Sequence, residues 1–179
     1  MPTLIALLRG INVGKAKRVA MADLRKLVEK LGYTEVRTLL NSGNVVFKSS
    51  SADTAKAAAR IEKALVESTG VSARVLVVSA AELAAAVKEN PLLKVADNPS
   101  RLLVAFLANP ADLVGLKPLL KQDWGQERLA LGSRVVYFWL PDGVIDSKIF
   151  ATLSKRPSSD VTTRNWATVL KLHALAGKG

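Results

Sequence analysis

Apolar residues along this chain recur at two spacings, and the alternation between them lays out the fold. Leu4 to Leu8 is a short aliphatic run closed by Arg9-Gly10, which reads as a buried strand. From Ala20 to Leu31 the spacing becomes helical, with Met21, Leu24, Val28 and Leu31 on one stripe and Gly32 as the stop. Val36 to Leu40 and Val45 to Lys48 read as strands joined by the turn Asn41-Ser42-Gly43-Asn44. Asp53 is the expected cap of a helix that carries Ala57, Ile61, Ala64 and Leu65 inward, runs to about Thr69 and ends at Gly70. Residues 73 to 78 form a fourth strand. The order to that point is strand, helix, strand, strand, helix, strand, the split βαβ pattern of a ferredoxin-like unit.

A helix over Ala80 to Lys88 leads into a connector rich in chain breakers, Asn90-Pro91 and Asp97-Asn98-Pro99. Leu102 to Leu107 then reads as a strand, Pro110 to Leu120 as a helix, and Arg128 to Leu131 with Val135 to Leu140 as a hairpin turned at Gly132-Ser133. Pro141-Asp142-Gly143 is a turn, and a short helical piece spans about Asp146 to Leu153. Lys155 to Thr163, with Pro157, reads as loop. Thr162 or Thr163 is the expected cap of a last helix to about Ala176, with Trp166, Val169, Leu170 and His173 on one face and Arg164, Thr168 and Lys171 on another. The second half therefore repeats the first in architecture while its residues hardly match. The expectation is an α+β protein of 179 residues, a single domain built from two duplicated ferredoxin-like (βαββαβ) units with antiparallel sheets and a C-terminal helix. Residues 1–79 would form the first unit, and 80–179 the second unit plus that helix.

Composition narrows the chemistry. At 49% hydrophobic and 23% charged the chain can bury a sizeable core. No apolar run approaches the roughly 18 residues of a membrane span, and no cationic segment precedes a long apolar stretch with a cleavage site. A cytoplasmic protein without a membrane partner is expected. Cysteine is absent and histidine occurs once, at His173, which excludes disulfides, thiol nucleophiles and thiolate or multi-histidine zinc sites. The 15 acidic residues are scattered, so no metal site is expected.

A net charge of +11 suits an anionic partner, but the cations are spread out and aromatic residues make up only 5% of the chain, too few for a surface that stacks bases. The densest signal is the glycine-rich stretch after the first strand. Gly10 and Gly14 open left-handed backbone, Asn12 tolerates it, and Lys15, Lys17 and Arg18 stand just ahead of a helix whose dipole favours anions there. Gly10 to Lys15 is not a phosphate loop, because the spacer is one residue short and Ala16 stands where a magnesium-binding hydroxyl belongs.

Right-handed crossovers bring the ends of the first strand and of the hairpin to one rim, gathering Arg9, Gly10, Asn12, Gly14, Lys15, Asn41, Ser42 and Asn44. Asn44 would sit beside Arg9 or Gly10. These residues are apt ligands for a phosphate or a base edge and poor general bases. Ser42 could act as a nucleophile only beside a base, His173 is the one histidine available to it, and no nucleophile elbow accompanies the pair. A small phosphorylated or nucleotide-like ligand is the leading expectation. Its rivals are a nucleic-acid-binding module and a protein-interaction domain whose glycines and asparagines serve turns alone. No catalytic residue or cofactor follows from the residues.

The segments Ala6 to Gly14, Asn41 to Phe47 and Thr162 to Val169 together resemble a bacterial domain-of-unknown-function family, number 1697. The resemblance runs over essentially the whole chain, including Met21 to Leu24, Ser79 to Leu83 and Pro141-Asp142-Gly143. It departs at Lys15, where the family usually has a further glycine. The resemblance implies a duplicated ferredoxin-like fold and no established activity. It also singles out Arg164 and Asn165, at the expected start of the last helix, as further ligand candidates that would join the rim.

Overall fold

The computed structural model describes residues 1–156 and 160–178. The protein is α+β, with two four-stranded antiparallel sheets. In the first, β1 (Thr3–Leu8) is followed by α1 (Met21–Lys30), the hairpin β2 (Thr34–Leu39) and β3 (Asn44–Lys48), α2 (Thr54–Thr69) and β4 (Val75–Ser79). The strand order is β2-β3-β1-β4. Alternate strand residues Leu4, Ala6, Leu8, Val45, Phe47, Val75 and Val77 face α1 and α2, where Leu24, Val28, Ile61 and Leu65 complete a core. Asp53 caps α2 by accepting from Lys56 N at 2.9 Å, and Gly70 closes it in the left-handed conformation, as the sequence leads one to expect.

The second sheet follows α3 (Ala80–Lys88). It contains β5 (Leu102–Leu107), a 3-10 helical segment Pro110–Lys121, β6 (Arg128–Leu131), β7 (Val135–Trp139), α4 (Lys148–Ser154) and β8 (Val161–Asn165), in the order β6-β7-β5-β8. A last helix, α5 (Trp166–Ala176), closes the chain. Leu103, Ala105, Leu107, Val136, Phe138, Leu140 and Ile149 form this unit's core. By packing, one unit comprises Met1–Leu83 with the C-terminal residues from Leu172, and the other comprises Ala84–Lys171.

Three expectations change. The segment from Pro110 winds as a 3-10 helix, because Pro118 within it has no N–H to donate to an α-helical ladder. The expected Thr162 or Thr163 cap does not form. Residues Val161–Asn165 instead pair with β5 over Leu103 to Leu107, which adds an eighth strand and starts the last helix at Trp166. Two threonines and a valine suit an edge strand with one buried face as well as they suit a cap. Third, the buried residues of α5 are Trp166, Thr168, Val169, Leu172 and Ala176, while Leu170 is exposed. The loop expected around Pro157 has its centre, positions 157–159, outside the described residues.

Candidate functional site

Twelve residues separate Leu8, the end of β1, from Met21, the start of α1. The path of this loop is set by four left-handed positions, Gly10 (φ 72°), Asn12 (φ 55°), Gly14 (φ 60°) and Lys17 (φ 49°). Two of these are not glycine, so side chains must hold them against the steric cost of about 1–2 kcal/mol each. Asn12 supplies the hold. Its Nδ2 donates to Val19 O at 2.8 Å and to Asn41 O at 2.9 Å, its Oδ1 accepts from Val19 N at 2.8 Å, and its own N donates to Lys17 O at 3.0 Å. One amide thus staples the loop to itself and to the hairpin. Ile11 anchors the same turn in the core.

The hairpin side is fitted equally closely. Leu40 (φ 59°) and Gly43 (φ 89°) turn it, and Leu8 N donates to Gly43 O at 2.9 Å. A Cβ on Gly43 would stand 2.8 Å from Ile11 Cδ1 and 2.9 Å from Leu8 Cβ, so only glycine lets hairpin and loop approach this far. It is Gly43 that abuts the end of β1. Asn44, expected beside Arg9 or Gly10, pairs with Leu7 one step earlier. Its side chain is 0% exposed, with Nδ2 donating to Leu39 O at 2.7 Å and to Ser42 Oγ at 3.0 Å. Asn12 and Asn44 therefore shape the rim from within, while Asn41 and Ser42 stand exposed at the hairpin tip.

The outward face of the loop is cationic. Arg9, Lys15, Lys17 and Arg18 are exposed, and among the described residues no carboxylate pairs with any of them, whereas Arg25, Lys48, Lys63 and Arg74 each find a glutamate. Arg9 N donates to Arg74 O at 2.9 Å, which fixes the backbone and leaves the guanidinium outward. The loop runs into α1 through Ala20, and no side chain caps that helix. The cations stand ahead of α1 in the chain, on the side where a helix dipole favours anions, and the first turn of that helix carries one acid, Asp23.

Arg164 and Asn165 end β8, and Asn165 stands at the start of the last helix, as expected. Arg164 is a β8 residue opposite Val104, 9% exposed, with Nη1 donating to Thr163 O at 2.9 Å. Burial lowers its guanidinium to about 10, because desolvation disfavours the charged form. Asn165 caps α5, its Oδ1 accepting from Thr168 N at 2.9 Å. Its counterpart in the first unit is Ser79, which accepts from Glu82 N at 3.1 Å while Ser79 N donates to Glu82 Oε2 at 2.8 Å, a capping box that opens α3. The Ser79-x-x-Glu82 spacing was available in the sequence as a sign of that junction.

A family model described as protein of unknown function, DUF1697, matches residues 1–137. The chain belongs to this family. The DUF1697 match covers the loop, the hairpin and β5 to most of β7, and it ends before β8 and α5. Among solved structures, the conserved bacterial protein SP0830 from Streptococcus pneumoniae is similar at a TM-score of 0.78 and 23% identity, over 98% of each chain. That likeness extends the fold across the part of this DUF1697 chain that the family model leaves out. No curated protein matches the chain. Among the described residues no three His, Asp or Glu side chains gather as a metal site would require, and no helix is long and apolar enough to cross a membrane.

Proposed function

We propose that the Arg9 to Arg18 loop, with the Asn41-Ser42 tip of the adjoining hairpin, binds a small phosphorylated or nucleotide-like ligand. The observation that carries this reading is the group of four exposed cations that no carboxylate pairs with among the described residues, held ahead of a helix that no side chain caps. Unpaired cations on a braced loop leave charge and direction for an incoming anion, and the free N–H groups of a helix start add to both. Arg9 and Lys15 neutralise charge, with Lys17 and Arg18 beside them. Gly10, Asn12, Gly14 and Asn44 keep the backbone in shape, and Asn41 and Ser42 offer polar contacts. Arg164 and Asn165 are left out of the site, since one is a buried strand residue and the other a helix cap. Nothing in this arrangement supplies a general base, so binding rather than catalysis is the function proposed.

The two halves are read here as two ferredoxin-like units that arose by duplication. In support, the strand orders correspond, and so do individual bonds. Leu8 N to Gly43 O and Arg9 N to Arg74 O in one unit answer to Leu107 N to Arg134 O and Ala108 N to Asp160 O in the other.

A thermal-shift series with pyrophosphate, mononucleotides, sugar phosphates and short oligonucleotides at two salt concentrations tests the binding proposal. A mononucleotide or sugar phosphate that raises the melting temperature at both salts, with affinity reduced about tenfold in Arg9→Ala or Lys15→Ala, is the expected result. Stabilisation by oligonucleotides alone, lost as salt rises, would replace the small ligand with a nucleic-acid backbone. Silence across the series would remove both readings.

A further inference from the structure

Among the described residues, four other than glycine have left-handed backbone, Asn12 (φ 55°), Lys17 (φ 49°), Glu35 (φ 50°) and Leu40 (φ 59°), and all four belong to the first unit. The second unit uses this region only at Gly125 and Gly143 among its described residues. It builds the corresponding strand order without such residues, so the architecture does not demand them. Glycine enters the left-handed region without the clash between Cβ and carbonyl oxygen that every other residue meets there.

Two of the four are accounted for by their own side chains. Asn12 makes three side-chain hydrogen bonds, and the Glu35 carboxylate pairs with Lys48 Nζ at 2.9 Å beside the irregular register of β2. Lys17 and Leu40 have no such account. Among the described residues no hydrogen bond or ion pair engages the Lys17 ammonium, which is exposed. Leu40, at the hairpin tip, is 46% exposed. What the fold takes from both is main chain alone, since Lys17 O accepts from Asn12 N at 3.0 Å and Leu40 O accepts from Gly43 N at 3.3 Å. Glycine at either position would serve those bonds as well. A side chain kept at a strained position where the fold has no use for it points to function.

Asn12 brings the two positions to one rim. It bonds Lys17 through its N, and through its Nδ2 it bonds Asn41, the neighbour of Leu40, at 2.9 Å. Val13, next to Asn12, is 70% exposed and adds a second aliphatic side chain. Beside the cations, then, stands aliphatic surface that gains by being covered.

We infer that Lys17 and Leu40 set the specificity of this rim, Lys17 by holding a phosphate and Leu40, with Val13, by covering the apolar face of a nucleobase. The inference rests on the ligand reading above and narrows it. Of the small phosphorylated compounds, a nucleotide has both the anionic and the flat apolar part, whereas a sugar phosphate lined with hydroxyls leaves Leu40 and Val13 uncovered.

Lys17→Gly and Leu40→Gly test this, because glycine relieves the backbone while it removes the side chain. Each should melt no lower than the unaltered protein, and up to about 3 °C higher, whereas Asn12→Gly should melt lower through its three lost bonds. Titration calorimetry of the full-length protein with adenosine monophosphate, ribose phosphate and pyrophosphate gives the second readout. The unaltered protein should bind adenosine monophosphate about fivefold more tightly than ribose phosphate. Lys17→Gly should weaken all three ligands about tenfold, and Leu40→Gly should weaken adenosine monophosphate alone, about fivefold. If the unaltered protein binds none of the three, the ligand reading falls and this inference falls with it. If it binds them but adenosine monophosphate is held no more tightly than ribose phosphate, or either glycine variant keeps full affinity for that nucleotide, the specificity roles alone are overturned. A melting temperature lowered in either glycine variant would overturn them too, by showing that the side chain serves the fold.

Discussion

The two units solve one connection in opposite ways. Both lead from a central strand into a helical segment. In the second unit Ala108 and Asn109 alone bridge Leu107 and Pro110, and Asn109 caps the segment by accepting from Ala111 N at 3.1 Å. In the first unit the same step takes twelve residues, carries four left-handed positions and four exposed cations, and delivers the chain to a helix without a side-chain cap. Two residues suffice for the geometry, so the extra ten are not required by the fold. The hairpins differ in the same sense. Where Gly43 faces Leu8 the second unit has Arg134 facing Leu107, and where Asn44 is buried it has Val135. A hydrophobic residue at that register is the cheaper solution to packing, since a buried amide must find partners. The first unit has accepted both costs in order to hold its long loop, which is why the ligand site is sought there.

The most disruptive way to challenge this contrast is to remove the close approach at Gly43. Gly43→Ala forces a Cβ to within 2.8 Å of Ile11 Cδ1 and 2.9 Å of Leu8 Cβ, at a φ of 89° that alanine resists. Overpacking and backbone strain together should cost roughly 2–4 kcal/mol in urea unfolding. The reciprocal change in the second unit, Arg134→Gly, relieves no close approach and should cost less, about 1 kcal/mol, through loss of the bond from Arg134 Nε to Leu107 O at 3.1 Å and the added freedom of glycine. A loss below about 0.5 kcal/mol for Gly43→Ala would mean that hairpin and loop are not tightly fitted, and the site would lose its frame.

Asn12 is the next lever. Asn12→Ala removes three side-chain hydrogen bonds and a residue suited to φ 55°, so the loop should loosen at a cost of about 1–3 kcal/mol. Amide exchange sharpens the result. Val19 N, which donates to Asn12 Oδ1, should lose protection, while amides of β5 and β7 should keep theirs. Asn12→Asp separates the bonds, because a carboxylate still accepts from Val19 N but cannot donate to Val19 O or Asn41 O. If Asp restores the hairpin contact as well as the Val19 bond, the staple to Asn41 is not what holds the rim.

Much of this architecture is legible in the residues, and the places where reading fails have physical causes. Strands β1, β5 and β7 are nearly unbroken apolar runs, and α2 is bounded by an aspartate cap and a glycine stop, so each level of signal agrees. β8 was hidden because Val161-Thr162-Thr163 fits a strand and a cap equally, and pairing with β5, a long-range contact, decides between them. The cap expected at Thr162 or Thr163 also put Arg164 on the last helix, whereas it lies buried on β8, since charge alone does not announce burial. Topology brings the loop after β1 against the β2–β3 hairpin, where Asn12 bonds Asn41 and Leu8 bonds Gly43, but what each side chain does there does not follow from topology. Whether an asparagine reads a ligand or braces a turn depends on which groups lie within about 3 Å, and for Asn12 and Asn44 those are backbone groups 5 to 29 residues away together with the Ser42 hydroxyl.

The smallest effect distinguishes how the two hairpin turns are held. The first unit fixes its turn by packing and amide bonds, neither of which titrates. The second fixes Gly132-Ser133 through Glu89, whose carboxylate accepts from Ser133 Oγ at 2.7 Å and from Ser133 N at 3.1 Å. Those two bonds hold the Glu89 carboxyl below its ordinary value, the side-chain bond most strongly. A carboxylate with a depressed folded pKa contributes stability that is present above its unfolded pKa and is lost as pH falls through the folded one. Acidification to below about pH 4 should therefore move the Ser133 amide resonance and speed its exchange, while the amides of Ser42 and Gly43 stay put. Ser133→Ala should raise the Glu89 titration midpoint toward the ordinary carboxylate range. If Gly43 shifts along with Ser133 over the same pH interval, the two turns share a titrating brace and the contrast between packed and charged hairpins fails.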